Sequence, residues 1–224
     1  MEVFQQDFVD LLVEYEVVRF GEFTLKSGRR SPYFVNAGQL RTGDAIARLG
    51  RAYAGQLLHH RIPCDLVFGP SYKGVPLAVA TASGLAARGH DTGFCFDRKE
   101  VKDHGEGGSF VGMAPTDGMR VVIVDDVITS GQSIREAAEL LRSSAKVELS
   151  AVVIAVDRQE RGKSERSTLA ELRDELGAPI LPLVTVRQLV DDLHSRTVGG
   201  RQIIDDASKA AIEAYLAEHG AREP

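Results

Sequence analysis

Cysteine is scarce in this chain, and the two present, Cys64 and Cys95, form no C-x-x-C pair. That argues against a zinc site or a dithiol redox centre. Each lies among apolar neighbours, Ile62 and Pro63 for the first and Phe94 and Phe96 for the second. Both therefore read as small buried hydrophobes of a reducing compartment. Long apolar runs are missing too: the longest uncharged stretch, Gly74 to Ala87, is interrupted by Pro, Ser, Thr and Gly. It falls short of the ~18 residues that a membrane span needs. The opening MEVFQQDF is acidic and amphipathic, unlike a signal peptide, so a cytoplasmic protein is expected. Basic charge is not in excess, since 27 Lys and Arg stand against 32 Asp and Glu for a net charge of -5. Bulk charge thus weighs against a nucleic-acid binder. No repeat, low-complexity tract or Pro/Ser linker divides the sequence, and 224 residues suit a single domain with its own core.

What is present is strand–helix alternation. Apolar residues at helical spacing (Phe4, Phe8, Leu11, Leu12, Tyr15) predict a helix over residues 2–16. Short strand-like pieces follow at Phe23–Leu25 and Tyr33–Val35. Thr42 or Asp44 would cap a helix running to about His60. Apolar strands are then expected at 65–68, 93–96, 120–124, 151–156 and 180–186. Helices are expected between or after them at 74–87, 132–143, 166–176 and 207–218. Residues 97–118 and 157–165 lack periodicity and read as loops. The fold class implied is α/β, a mainly parallel sheet with helices on both faces. Ligands of such sheets bind beyond the carboxyl ends of the strands.

The segment VVIVDDVITSGQS, Val121 to Ser133, is the strongest chemical signal. A buried strand ends in two carboxylates, and a bend rich in hydroxyls with one glycine then opens a helix. Backbone N–H groups at that helix start suit a phosphate. Two acids beside a phosphate need a partner of their own. Sugar hydroxyls or a metal ion such as Mg²⁺ would serve, so the pattern suggests a sugar phosphate. Plain capping by Asp126 and Thr129 would explain one carboxylate and leave the rest of the run without a role. A Walker P-loop is disfavoured because Asp157 holds the glycine position upstream of Gly162-Lys163-Ser164.

This 13-residue run resembles the signature of the type I phosphoribosyltransferases, which bind 5-phosphoribosyl-1-diphosphate (PRPP). Further segments resemble the orotate-specific branch of that family. They are FGEFTLKSGR (20–29), SPYF (31–34), NAG (36–38), FGPSYKG (68–74), RKEVKDHGEGG (98–108) and DRQERG (157–162). The resemblance implies a central sheet under a small hood, formed by about 1–40 with C-terminal pieces, over a core of about 41–186. It also implies transfer of phosphoribose from PRPP to orotate, giving orotidine 5′-monophosphate and diphosphate for UMP synthesis, with Mg²⁺ held mainly by substrate oxygens and water.

Carried over by position, Asp125 and Asp126 would hold the ribose hydroxyls, and Val127, Ile128, Thr129, Ser130, Gly131, Gln132 and Ser133 the 5′-phosphate. Tyr72 and Lys73 would contact PRPP. Arg98, Lys99, Lys102 and His104, with Gly105, Gly107 and Gly108 behind them, would form a flap over the diphosphate, and Lys102, Lys26, Asp125 and Asp126 would be the catalytic set. Lys26 would stand at both substrates. Phe34, Val35, Thr129 and Arg158 would meet orotate, Arg158 through the carboxylate. Val35 replaces the Phe more usual there. The same resemblance implies a homodimer whose flap serves the neighbouring site, with no membrane or nucleic-acid partner. A purine-specific transferase and a PRPP-sensing nucleic-acid regulator remain open alternatives at this point. The histidines His59, His60, His90, His194 and His219 show no carboxylate partner in the sequence.

Overall fold

The computed structural model describes residues 1–25, 28–98, 109–128, 130–162 and 165–221. Its centre is a six-stranded sheet of β3 (Leu66–Phe68), β4 (Gly93–Asp97), β5 (Phe110–Gly112), β6 (Arg120–Asp125), β7 (Glu148–Asp157) and β8 (Ile180–Thr185), in spatial order β5-β4-β3-β6-β7-β8. All neighbouring pairs are parallel except β4–β5. The expected mainly parallel sheet is therefore present. Its strands are apolar on both faces because helices cover both.

Side-chain alternation sorts those faces. Val121 and Ile123 of β6 join a cluster with α4 (Gln132–Ser144) and α5 (Thr168–Leu176). Val122 and Val124 join the cluster built by α1 (Val3–Glu14), α2 (Gly43–His59), α3 (Gly74–Ala86), α6 (Val186–Ser195) and α7 (Asp206–His219). Helices α2 and α3 touch closely, because a Cβ at Gly50 or Gly84 would strike the backbone of the opposite helix. Thr42 caps α2 through its hydroxyl, as expected. Outside the main sheet, β1 (Val18–Thr24) and β2 (Arg30–Val35) form an antiparallel pair, and α7 packs on β2.

The connections place the ligand end. From β3 the chain moves to β4 on one side, whereas from β6 it moves to β7 and β8 on the other. The topological switch point is thus the β3/β6 gap, the usual crevice of open α/β sheets. Both α3 and α4 begin there, and the residue at the N-cap of each, Lys73 and Gly131, makes no side-chain capping hydrogen bond.

Several boundaries depart from the sequence reading. The expected loop 97–118 contains β5, which is short and only half-buried and so lacks an apolar run. The strand expected to reach residue 186 stops at Thr185, where that residue caps α6 together with Gln188. Helix α6 and a short hairpin, 197–198 with 201–202, were not anticipated. Two elements simply extend: β7 runs over ten residues, and the first hairpin is longer than its two apolar pieces. Among the described residues no helix is long and apolar enough to cross a membrane.

The cysteines behave as buried hydrophobes. Cys95 is fully covered, Cys64 is half-buried, and burial pushes both thiols up to about 12. A thiol is reactive only as thiolate. In the folded protein at neutral pH both should therefore resist a disulfide reagent, and denaturant should release two equivalents per chain. A spectrophotometric thiol titration with and without denaturant checks this, and rapid labelling of the native chain would contradict it.

Candidate active site

At the end of β6 the two acids of the motif part company. Asp125 is buried: its carboxylate accepts the Asp126 N–H at 2.9 Å and the Ser133 hydroxyl at 3.1 Å, and its carbonyl accepts the Tyr53 hydroxyl at 2.7 Å. Burial and the neighbouring Asp126 charge hold the Asp125 carboxyl above the usual range. Asp126 is half-buried and faces the cleft, where its carboxylate accepts Lys73 Nζ at 2.8 Å and the Val127 N–H at 2.8 Å. That hydrogen bond and charge raise the Lys73 ammonium above its ordinary value. The solution to the repulsion between adjacent carboxylates is local: one is sheltered among donors, and the other is paired with a cation.

The turn that follows reaches α4 through Gly131, whose φ of +73° suits glycine and whose Cβ would press on Leu172. Gly131 offers no side chain to the first turn of α4, where the Gln132 N–H makes a long contact of 3.4 Å with the Ser130 hydroxyl; first-turn N–H groups have no intrahelical partner and suit an anion. Capping by Asp126 is therefore not what the motif does. Val127 and Ile128 are half-buried, Ser130, Gln132 and Ser133 are exposed, and Gln132 holds Glu136 at 2.8 Å.

Across the switch point, β3 leads into residues 69–73. A Cβ at Gly69 would collide with the Gly74 carbonyl, so the turn needs glycine at both positions. The Ser71–Tyr72 peptide is cis. Ser71 is tied to β4, its N–H and hydroxyl both donating to Asp97 at 2.6 Å. This fixes the start of α3 and presents Tyr72 and Lys73 at the surface. Arg98 follows β4, half-buried, with its Nε buried and without a partner among the described residues.

A cleft of about 520 Å³ joins these parts to the far side of the site. Lys73, Asp126, Val127 and Ile128 line it together with Phe34, Val35 and Arg158. A smaller, mostly apolar pocket of about 150 Å³ shares Val35, Lys73, Asp126 and Val127 and extends to Tyr53. Phe34 is not free to turn, because its ring stacks on Phe23 at 5.7 Å and lies under Arg19. Val35 packs against the core, so its backbone is the part left to a ligand. Arg158 is held by Glu160, with its Nε and Nη2 donating to Oε1 at 3.0 and 2.6 Å.

The structure thus brings Phe34, Val35, Lys73, Asp126, Val127, Ile128 and Arg158 to one cleft. Lys26, Lys99, Lys102, His104 and Thr129 lie outside the described residues. Sequence reasoning missed Tyr53 and Glu160. Tyr53 carries no signal, being one apolar position of a helix; Glu160 does, two residues from Arg158 inside the DRQERG segment. It also missed a partner for His194, which meets Asp206 at 2.8 Å. Among the described residues no group of three acidic, His or Cys side chains could hold a metal ion.

The chain matches the model of the phosphoribosyl transferase domain over residues 36–175. It is 50% identical to an orotate phosphoribosyltransferase of Halorhodospira halophila, covering 99% of this chain and all of that one. It is 46% identical to the enzyme of that name from Aliivibrio fischeri, covering 98% and 100%. The crystal structure of orotate phosphoribosyltransferase from Francisella tularensis superposes with a TM-score of 0.83 at 32% identity, covering 95% of this chain and 98% of that one.

Proposed function

This chain belongs to the phosphoribosyltransferase family, and from that premise we propose how its cleft divides the work of the reaction. The activity is transfer of the 5-phosphoribosyl group from PRPP to orotate, giving orotidine 5′-monophosphate and diphosphate, a step of pyrimidine synthesis. The orotate name carried by relatives along the whole chain decides against the purine alternative.

The observation that carries the residue assignment is one cleft lined both by the Lys73–Asp126 pair with the residues that follow it and by the Arg158 guanidinium. Asp125 and Asp126 hold the ribose hydroxyls, and residues 127–133 hold the 5′-phosphate on the N-terminus of α4. Lys73 now neutralises Asp126. When PRPP enters, the diphosphate competes for that ammonium, which frees Asp126 for the hydroxyls. Charge is thereby rearranged rather than buried bare. Tyr72, Arg98, Lys99, Lys102, His104 and Lys26 complete the anion side. Orotate lies against the Phe34–Val35 backbone, with Thr129 near it and its carboxylate on Arg158. A planar fork suits that anion better than an ammonium would.

A ring nitrogen of orotate gives up its proton and bonds to the anomeric carbon as the C–O bond to diphosphate breaks, the leaving group taking the electron pair and the proton passing to a diphosphate oxygen or to water. Alignment and stabilisation of the departing charge do most of the catalysis. Mg²⁺ fits this site as a companion of PRPP, because it keeps several waters and is commonly held by substrate phosphates with one or two carboxylates. When bound, it supplies Lewis-acid screening of the diphosphate. The first 40 residues with C-terminal pieces form the hood over a core of 41–186. The working unit is a cytoplasmic homodimer in which residues 98–108 close over the neighbouring site, without nucleic acid.

A base panel tests the specificity. With PRPP and Mg²⁺, diphosphate should be released with orotate and not with adenine, guanine or hypoxanthine, and omission of Mg²⁺ should depress the rate. Release with a purine, or none with orotate, would overturn the reading.

A further inference from the structure

Arg158 does not stand alone. Glu160 Oε1 accepts from Arg158 Nε and Nη2, from the Tyr33 hydroxyl at 2.9 Å and from the Tyr215 hydroxyl at 3.0 Å, while Oε2 accepts Arg29 Nη2 at 2.7 Å. The carboxylate is nearly enclosed, with its side chain 11% exposed. The Arg158 guanidinium also lies over the Tyr33 ring at 5.1 Å, and Tyr33 meets Tyr215 edge to face at 5.8 Å. The donors come from β2 and the residue before it, the segment after β7, and α7, which are far apart in the chain.

The backbone is fixed by the same neighbours. Gln159, between the two charged residues, has a φ of +53°, a conformation that non-glycine residues rarely adopt without surrounding support. The support is visible: Asp157 accepts the Gln159 N–H at 2.8 Å, the Arg161 N–H donates to His219, and the Ala221 N–H donates to Gln159. Residues 219–221 are therefore stitched along residues 159–161.

We propose that Glu160 is the positioning residue of the orotate site, holding Arg158 with its end-on edge toward the cleft, and that Tyr215 makes α7 part of that device. The proposal rests on the reading of Arg158 as the orotate-carboxylate ligand. Glu160 occupies the side-on edge, Nε with Nη2, and no described residue takes Nη1. The edge Nη1/Nη2 is left for an incoming carboxylate in the paired geometry that arginine forks favour. Two arginines against one glutamate leave one positive charge in excess, which matches one carboxylate. Glu160 does not touch the substrate; it decides where the guanidinium points and shields Arg29 from competing for the ligand.

Steady-state kinetics with each substrate varied, beside thermal melting, tests this. Glu160→Gln should raise KM for orotate about tenfold, the scale of one charge-assisted hydrogen bond, with KM for PRPP unchanged. Tyr215→Phe should raise it about threefold with a wild-type melt. In an Arg158→Ala background, Glu160→Gln should add nothing. If Arg158→Ala itself leaves the orotate KM unchanged, the ligand reading of Arg158 fails. If Arg158→Ala raises it and folded Glu160→Gln does not, or if the Glu160→Gln effect persists in full without Arg158, the positioning role fails. Should Glu160→Gln not fold, a well-folded Tyr215→Phe with unchanged orotate KM overturns the proposal by itself. A role in folding alone would lower melting temperature and shift both KM values together.

Discussion

Asp125→Asn should lower kcat/KM for PRPP by about 10²-fold while the protein keeps its melting temperature, because the substitution removes the charge proposed to serve the ribose and almost none of the local packing. The amide can accept the Asp126 N–H with its oxygen and donate to Ser133 with its nitrogen, and the carbonyl still accepts Tyr53. Burial penalises the wild-type carboxylate, so neutralising it removes a desolvation cost rather than adding one. What is lost is the anionic partner of the ribose hydroxyls and of positive charge developing on the sugar. The pH profile supplies a second readout. A carboxyl held above the usual range loses its charge earlier as pH falls. The acid limb of wild-type kcat/KM should therefore lie above that of an ordinary carboxylate and should disappear in the variant. An unaltered profile with unaltered kcat/KM would remove Asp125 from the donor site.

Lys102→Ala should reduce kcat by about 10²-fold or more, the scale for loss of one donor to charge that develops in the transition state. The residue lies in the glycine-rich segment 98–108, and folding should be unaffected. The same variant tests the division of labour between subunits. Mixed with Asp125→Asn chains in equal amounts, it should regain activity as hybrid dimers form, in about a quarter of all sites under random exchange. Each such hybrid carries one site with an intact Lys102 from one chain and an intact Asp125 from the other. No recovery after verified subunit exchange would mean that the segment serves its own subunit. Undiminished turnover by Lys102→Ala alone would exclude that lysine from the mechanism.

Much of the fold was legible because its signals are contiguous. Apolar runs such as Val121–Val124 and Ala151–Val156 mark strands buried on both faces, and Thr42 marks a helix start. Elements were missed where that contiguity failed. Strand β5 has two half-buried residues and one exposed, and its existence depends on pairing with β4. Helix α6 follows β8 without a breaker, so one apolar run covers both; the capping box of Thr185 and Gln188 was the signal that could have divided them.

By itself, the sequence determined the sheet's central strands, the glycine turn at Gly131 and the stretch proposed to hold the sugar phosphate, because Asp125 to Ser133 are one continuous piece of chain. Tertiary structure alone decided that Asp125 is sheltered while Asp126 pairs with Lys73, and that Arg29, Tyr33 and Tyr215 converge on Glu160 behind Arg158. The reason is physical: a main-chain cradle is written in neighbouring residues, whereas the orientation of a guanidinium is set by whichever donors and acceptors the fold delivers from distant elements.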